Sequence, residues 1–448
     1  MESITYLNVK VEGTPITNVT QLEIQNAMNQ YGSATIAGEV TREEGTAFVS
    51  RANSETVVKI TTSAKGQPPT LFVGVVERTN LSYEAQYSVL HVTLRATAMQ
   101  LDIEKKNKSF QNTGSTYEEV ISTVLGGKAN LSMQVSDSAI GQLMMQYNET
   151  AWEFASRMAS CLGASICANV TTKSPIITIG IPTGKTYQIT GADVKVNGSA
   201  MGTESVGVSL TTNQYVEIGD SLSYNGSTDV VNAVSATMQN GILRVSATTG
   251  KKGEFKQAGF ANASVSGKMM KGIVQAVEKD KVQVFLTDID ESYDAGGNLW
   301  LPYSTAYSSS DGSGFYCMPQ EGDEVRVFFP SDNEKDAFAA SSVNVSPLDN
   351  PKDKKWRSPA GKEILLTEGG IFITCKEQKI YINLEDENGI TIASDSEINV
   401  MTTNNMLLYA QKQLKVQAEQ KILLSTGTAY IDMTPEEIQL GAEKVTIK

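Results

Sequence analysis

The stretch ITIASDSEINVMTTNNMLLYAQKQLKVQAEQKILL, residues 390–424, repeats with a fixed period. Two apolar residues separated by one other residue recur, and successive pairs begin eight residues apart. Polar runs such as Thr402-Thr-Asn-Asn405 fill the intervals. Weaker copies precede the stretch, from Ile364 onward, and the pattern continues to the end of the chain at slightly irregular spacing. The apolar pairs are Ile390/Ile392, Ile398/Val400, Met406/Leu408, Leu414/Val416, Ile422/Leu424, Ile431/Met433, Ile438/Leu440 and Val445/Ile447.

Each repeat predicts one β-strand with one apolar face, followed by a polar corner. Such a strand cannot bury its apolar face alone. One chain could close a prism as a solenoid with three steps per turn, or three chains could wind together and each supply one strand per layer. Winding of three chains would make the protein an obligate trimer. A third possibility is an ordinary β-sandwich, but sandwiches vary their loop lengths and a constant step of eight does not suit them.

The rest of the chain predicts a mainly β protein with several domains, since 448 residues exceed what one core usually supports. Short alternating runs such as Thr56-Val-Val-Lys-Ile60 predict strands. We expect two β-barrel domains, an OB-type barrel and a proline-rich linker before the repeats. The predicted bounds are 1–110 for the first barrel, 111–165 for a helical insertion, 166–258 for the second barrel, 259–346 for the OB-type domain, 347–361 for the linker and 362–448 for the repeats.

Two short amphipathic helices are predicted in the insertion. Ser115-Thr-Tyr-Glu118 and Thr150-Ala-Trp-Glu153 each have the spacing of a capping box at a helix start. Glycines stop both helices, at Gly126-Gly127 and at Gly163.

Composition and charge exclude several function classes. The formal net charge of -13 would repel phosphate backbones and anionic head groups, so nucleic acid and passive membrane adsorption are not expected. The first residues lack the features of a signal peptide, and no apolar run approaches the ~18 residues of a membrane span. We expect synthesis in the cytosol without a signal peptide. Four isolated cysteines are interpreted as reduced packing residues, namely Cys161, Cys167, Cys317 and Cys375.

No constellation predicts an enzyme, a metal site or a cofactor. Gly180-Ile-Pro-Thr-Gly-Lys-Thr186 has one residue too few between its glycines for a phosphate-binding loop, and a turn is the better interpretation. The run from Asp288 to Asp294 lacks the glycine and glutamate of a calcium loop. His91 is the only histidine, and it faces away from the apolar residues of its strand.

Two further motifs resemble a known family. The run Gln146-Tyr-Asn-Glu-Thr-Ala-Trp-Glu-Phe-Ala-Ser-Arg157, with Trp152, Phe154 and Arg157, is similar to a helix of phage late-control D proteins and VgrG spikes. Pro319-Gln-Glu-Gly-Asp-Glu-Val325, with Pro319, Gly322, Asp323 and Val325, resembles the strand of the OB domain that follows in that family. The repeats come third, in the family's order, so the resemblance covers essentially the whole chain.

The resemblance implies a structural protein of a contractile injection machine. The homotrimer would place six related barrels in a hub that docks on a hexameric, Hcp-like tail tube among baseplate proteins, with the repeats as an intertwined β-helix needle. The machine would act at or beyond a target envelope, and the membrane would be met only by mechanical penetration. Family members with an inserted lysozyme domain or an iron-binding His-x-His tip differ from this chain, so a separate PAAR-type tip protein is expected. The needle core would be the apolar pairs, and no catalytic residue is implied.

Two other function classes stay open at this point. A carbohydrate-binding adhesin or tail fibre can also end in a trimeric β-prism. A glycan-cleaving enzyme on a single-chain solenoid would place acidic residues along a groove.

Overall fold

The computed structural model describes residues 2–83, 87–189, 193–197, 207–294, 296–344, 346–376 and 379–447. The chain divides into two compact units, Met1–Asn344 and Val345–Lys448. The first unit is mainly β with three α-helices among its described residues, and the second is built of strands and turns.

The first β region alternates apolar and polar residues. In β6, Leu90, Val92 and Leu94 are buried and the residues between them are half-buried, as the alternation of a strand requires. The elements are β1 Val9–Glu12, β2 Asn18–Ala27, β3 Ser33–Val40, α1 Arg42–Arg51, β4 Val57–Thr62, β5 Thr70–Tyr83 and β6 Ser88–Ala96.

A compact α/β region follows, with a core of its own. Its helices α2 and α3 pack on the sheet β10-β11-β8, while β7 and β9 form a separate antiparallel ribbon. The elements are β7 Lys106–Phe110, α2 Tyr117–Leu125, β8 Asn130–Met133, β9 Met144–Glu149, α3 Ala151–Cys161, β10 Ile166–Ala168 and β11 Ile176–Ile179.

The second β region joins the first in one continuous sheet. Its strand β16 pairs antiparallel with β2, from Ala233 opposite Ala27 to Thr237 opposite Glu23. Apolar residues of both regions therefore belong to one core. The elements are β12 Thr186–Gln188, β13 Asp193–Asn197, β14 Gly207–Thr212, β15 Ser221–Tyr224, β16 Ser227–Gln239 and β17 Ile242–Gly250.

The last part of the first unit is a closed barrel with strand order β18-β19-β20-β22-β21. It lies within the range 259–346 proposed for an OB-type domain, and its core includes Val274, Val284 and Val325. The strands are β18 Lys268–Glu278, β19 Lys281–Phe285, β20 Leu301–Ser304, β21 Glu324–Phe329 and β22 Phe338–Ala340.

The second unit contains two antiparallel meanders, with strand orders β23-β24-β25-β26-β27 and β28-β29-β30. Tight turns such as the one at Asn388-Gly389, where Gly389 has a φ of 79°, connect successive strands. The strands are β23 Lys354–Arg357, β24 Glu363–Thr367, β25 Gly370–Lys376, β26 Ile380–Glu385, β27 Gly389–Ala393, β28 Ile422–Thr426, β29 Ala429–Met433 and β30 Ile438–Gly441.

The domain bounds remain predictions, but two segments near them form strand pairings that the sequence did not indicate. Residues 166–179, predicted to open the second barrel, form β10 and β11 and pack on the helices instead, because β11 pairs in parallel with β8. Residues 354–357, predicted as linker, form β23, where Trp356 lies opposite Ile364. The three prolines in and around this segment favoured a linker over a strand in the sequence-based prediction.

One local prediction was wrong, and a second, the packing role of all four cysteines, was wrong for three of them. The capping box of α2 is Thr116 with Glu119, one residue later than predicted, because the hydroxyl of Thr116 accepts from the amide of Glu119. Of the four cysteines only Cys167 is buried, and the other three are exposed. The second box, Thr150 with Glu153, is confirmed.

Candidate functional site

The apolar pairs of the second unit share one face of its sheets. Across the first meander, Ile382 lies opposite both Ile373 and Ile392. In the second meander, Ile431 lies opposite both Leu424 and Leu440. Antiparallel register therefore stacks the repeat residues of neighbouring strands into apolar rows, as side-chain alternation requires.

Between the two meanders the chain runs through the strictly periodic repeats in extended segments. Bends recur every eight residues, at 395–396, 403–404, 411–412 and 419–420. At two of these corners a hydroxyl accepts a backbone amide two residues later, from Ser396 to Ser394 and from Asn404 to Thr402. The predicted polar corners are present, but no strand is assigned in the described residues 394–421. A strand there requires hydrogen-bonding partners that this segment does not find among the described residues of its own chain.

The apolar rows are exposed in the single chain. Ile392 is 62% exposed, Val400 72% and Leu414 59%. Soluble proteins rarely leave such a continuous apolar surface in water, so a surface of this kind marks an interaction site. We call this surface the repeat face. It consists of Ile390, Ile392, Ile398, Val400, Met406, Leu408, Leu414, Val416, Ile422, Leu424, Ile431, Met433, Ile438, Leu440, Val445 and Ile447.

The repeat face is concave near its start. A groove of about 730 Å³ is lined by Ile364, Ile373, Ile382, Ile392 and Ile398, together with polar residues at its rim. Its floor is made of the residues that the period places on one side of the sheet. The groove therefore extends the repeat face onto the weaker repeats before Ile390 and is not a separate site.

The motif helix α3 anchors the first unit through three side chains. Trp152 packs edge-on against Tyr31 of the first β region, with ring centroids 5.3 Å apart. Phe154 stacks on Phe110 of β7 at 5.6 Å. These contacts bury both aromatic residues in the first unit, which favours anchoring as their role.

Arg157 is the third anchoring residue and lies at the centre of a buried ion cluster. Its guanidinium donates to both carboxylate oxygens of Glu149, at 2.8 Å each, and to Glu334 Oε1 at 2.9 Å. It also donates to the carbonyl of Met145 at 2.6 Å. Burial raises the pKa of Glu149, and the guanidinium beside it opposes that shift. Because Glu334 lies between β21 and β22, the cluster ties α3 to the closed barrel.

Other polar contacts reinforce this junction. Asp290, in the loop after β19, accepts from the amide of Ser109 at 2.8 Å and from its hydroxyl at 2.5 Å. The side chain of Asn298 accepts from Thr113, and that of Asn262 donates to the carbonyl of Tyr147. The barrel is therefore held by the ribbon β7-β9 as well as by the ion cluster.

The second motif shapes the start of β21. Gly322 has a φ of 89°, which favours glycine, and its amide donates to the carbonyl of Val274. Asp323 accepts the amide of Gln320 at 2.7 Å and so closes the turn that begins after Pro319. Val325 is fully buried in the barrel core. These contacts fix the turn that leads into β21.

Sequence reasoning missed Glu149 and Glu334 as partners of Arg157. Glu149 lies inside the quoted motif, eight residues before Arg157. A buried arginine needs a carboxylate partner, and this need could have indicated Glu149 from the sequence. Glu334 lies in a short turn far along the chain, and no local pattern marks it.

The residues considered for phosphate binding or catalysis in the sequence analysis lie outside the repeat face and the Arg157 cluster. The run 180–186 connects β11 to β12, which begins at Thr186, so a strand and not a helix follows it. His91 lies half-buried between the buried residues Leu90 and Val92. In the part of the chain that the structure describes, no group of three or more His, Cys, Asp or Glu side chains could hold a metal ion. No described helix is long and apolar enough to cross a membrane.

Comparisons with known proteins address the fold. A family model described as the Alg8 N-terminal domain matches residues 1–191. No curated protein matches the chain. Among solved structures, a type VI secretion component of E. coli, described as structurally similar to the T4 bacteriophage tail proteins gp27 and gp5, aligns with a TM-score of 0.56 and 14% identity. The alignment covers 75% of this chain and 99% of that one.

The PdpA-VgrG complex of Francisella is also similar. In its lidded form the TM-score is 0.56 at 8% identity, over 87% of this chain and 80% of that one. In its half-lidded form the TM-score is 0.53 at 8% identity, over 86% of this chain and 87% of that one.

These likenesses define the class first as a mainly β fold of the hub type found in gp27- and gp5-like tail proteins. More particularly, the chain has the fold of VgrG-like hub and spike proteins, and the resemblance predicted from the sequence is confirmed at the level of the fold.

Proposed function

We propose that the chain is one protomer of a trimeric hub and spike in a contractile, phage-tail-like injection machine. The observation that carries the proposal is the repeat face, a periodic apolar surface exposed in the single chain. Three copies would bury these rows against one another around one axis. The fold of type VI secretion and tail proteins supports the same role.

The exposed repeats favour three chains over a single-chain solenoid. A solenoid would bury its rows within one chain, whereas here the residues of the strict period are exposed. The bends at steps of eight leave six-residue extended segments of a length that suits one strand per layer. Backbone groups of these segments would then pair with the neighbouring chains.

The first unit would supply the hub. Its continuous sheet, made of two β regions in one chain, would present six such regions in a trimer and so match a hexameric, Hcp-like tube. The buried Arg157 cluster would keep the barrel fixed to the hub under load, since breaking it leaves uncompensated charge.

The role requires positioning and mechanical force, with no bond chemistry. Baseplate proteins would surround the hub and a separate PAAR-type tip protein would cap the needle. The chain would assemble into the particle and act at the target envelope when the sheath contracts.

The test is electron cryomicroscopy of the purified chain mixed with the hexameric tube protein of the same cell. We expect a three-fold hub seated on the six-fold ring, with a needle extending from it. Failure of the chain to bind the hexameric ring, together with binding to purified surface glycans, would contradict the proposal and favour a carbohydrate-binding adhesin.

A further inference from the structure

The opposite side of the repeat segments carries an apolar cluster that the needle core does not use. Met401, Leu407 and Tyr409 alternate with the repeat-face residues, and they are 89%, 86% and 79% exposed. Side chains alternate across an extended segment, so the repeat face and these three residues point to opposite sides. In a trimer that buries the repeat face, the three residues would stay on the outer surface.

The positions next to this cluster on the same side of the segments are mainly polar, and the next large apolar residue there is Leu423, which is 53% exposed. One step of eight earlier, the position of Met401 is taken by Ala393 and that of Leu407 by Asn399. One step later, the positions of Leu407 and Tyr409 are taken by Lys415 and Gln417. Met401 and Tyr409 are eight residues apart, so they fall on one column in adjacent layers. Three chains would bring nine such side chains to two adjacent layers of the needle. We call this ring the outer belt.

The charge around the outer belt is opposite in sign to that of the chain. Residues 398–418 contain Lys412 and Lys415 and no acidic residue, whereas the whole chain has a formal net charge of -13. Both lysines are exposed, and neither is in an ion pair within the described residues. Acidic residues resume only at Glu397 and Glu419 on either side. A trimer would therefore carry six positive charges next to nine exposed apolar side chains.

We propose that the outer belt binds the surface of an anionic phospholipid membrane. Lysines beside exposed apolar and aromatic side chains are the combination that suits such a surface: the cations meet the head groups and the apolar groups enter the boundary of the acyl chains. Tyrosine suits this level because its ring is apolar and its hydroxyl is polar. The net charge of the chain opposes adsorption as a whole, so contact is confined to these layers of the needle.

The inference rests on the proposed trimeric needle and adds a surface that would contact the target membrane as the needle passes through it. The belt would lower the free energy of the needle at the membrane, whereas a purely polar outer surface would give no such gain.

Flotation of the full-length chain with vesicles tests the inference. One set of vesicles is phosphatidylcholine and the other is an equal mixture of phosphatidylcholine and phosphatidylglycerol. We expect binding to the mixed vesicles to be tighter by about tenfold or more and to fall with added salt. Leu407→Ser combined with Tyr409→Ser should weaken it by about tenfold. Lys412→Gln with Lys415→Gln should remove the preference for the anionic vesicles.

Thr391→Ser with Gln417→Ser is the matched control on the same side of the segments, and it should bind like the unchanged chain. The native mass of each sample is measured first. A trimer that floats with neither kind of vesicle would contradict the outer belt. Belt variants that bind as tightly as the unchanged chain would contradict it too. Neither result would affect the proposed function. A monomeric chain would contradict the proposed function and therefore also the outer belt, which requires the trimer. If the serine variant is no longer a trimer, the lysine variant and the salt dependence test the outer belt instead. Unchanged preference for the anionic vesicles in the lysine variant, or binding that salt does not weaken, would then overturn it.

Discussion

The two compact units place the same alternating pattern in opposite surroundings. In the first unit, Leu90, Val92 and Leu94 of β6 are fully buried because other elements of the same unit cover them. In the second unit, Ile392 and Val400 alternate in the same way and are largely exposed. Alternation thus predicts which side of a strand is apolar, while burial depends on a covering layer. The first unit contains that layer, and we propose that further copies of the chain supply it for the second.

The largest effect is expected from Leu414→Asp, which breaks the second half of this comparison. Three carboxylates would enter one layer of the proposed needle, at a cost of several kcal/mol per buried unpaired charge. Loss of the trimer, or a large fall in its melting temperature, is expected. Gln417→Asp, on the other side of the same segment, is the control and should leave the trimer intact. Equal behaviour of the two variants would contradict the needle.

Arg157→Met tests the stability of the first unit, whose core is buried within a single chain. It leaves Glu149 and Glu334 buried without their cation, so the free energy of unfolding should fall by about 3–5 kcal/mol. Arg95→Met is the matched control because the ion pair of Arg95 with Glu77 is about one third exposed, in contrast to the buried cluster, and it should cost about 0–1 kcal/mol. Urea unfolding monitored by tryptophan fluorescence measures both. A variant as stable as the Arg95 control would show that the cluster does not hold the barrel.

Gly322→Ala tests whether the second motif acts through its backbone. A Cβ at this position meets nothing within 4 Å, so the effect comes from the φ of 89° alone. We expect a loss of about 1–2 kcal/mol in the free energy of unfolding. Gly253→Ala is the control, since it also has open space and has no positive φ. Equal urea midpoints for the two variants would remove the backbone explanation.

The smallest effect is expected from pH acting on Glu217, near β15. Burial raises its pKa, and the nearby Asp220 carboxylate adds to the shift. The folded state therefore holds the proton more tightly than the unfolded state, whose pKa is about 4.3. This contribution to stability is complete below that value and is lost as pH rises through the folded-state pKa. Glu217→Gln should match the unchanged chain in urea midpoint at pH 4 and exceed it at pH 7. A constant difference at all pH values would contradict this assignment.

Much of the fold could be predicted because its signals are local. The capping box at Thr150, the glycine stops after both helices and the alternation within the barrel strands all act over a few residues. The mainly β class with its closed barrel is confirmed. The period of eight also predicted the polar corners, which appear as bends at that spacing.

The rest depends on contacts between distant parts of the chain. Nothing local indicates that β11 pairs in parallel with β8 or that β2 pairs with β16. The partner of Arg157 in the barrel, Glu334, is 177 residues further along the chain. In the repeats, the missing information is the identity of the neighbouring strand, which we propose to come from another copy. Domain bounds and the roles of individual repeat residues accordingly remain predictions.

The central claim is that the second unit is completed by two further copies of the chain. The native mass of the purified full-length chain at nanomolar concentration tests it most directly. An intertwined trimer should give a species of about 145 kDa, three times the 48.3 kDa of one chain, that persists on dilution because the copies wind together. A stable species of 48.3 kDa would contradict it and would direct attention to a single-chain solenoid.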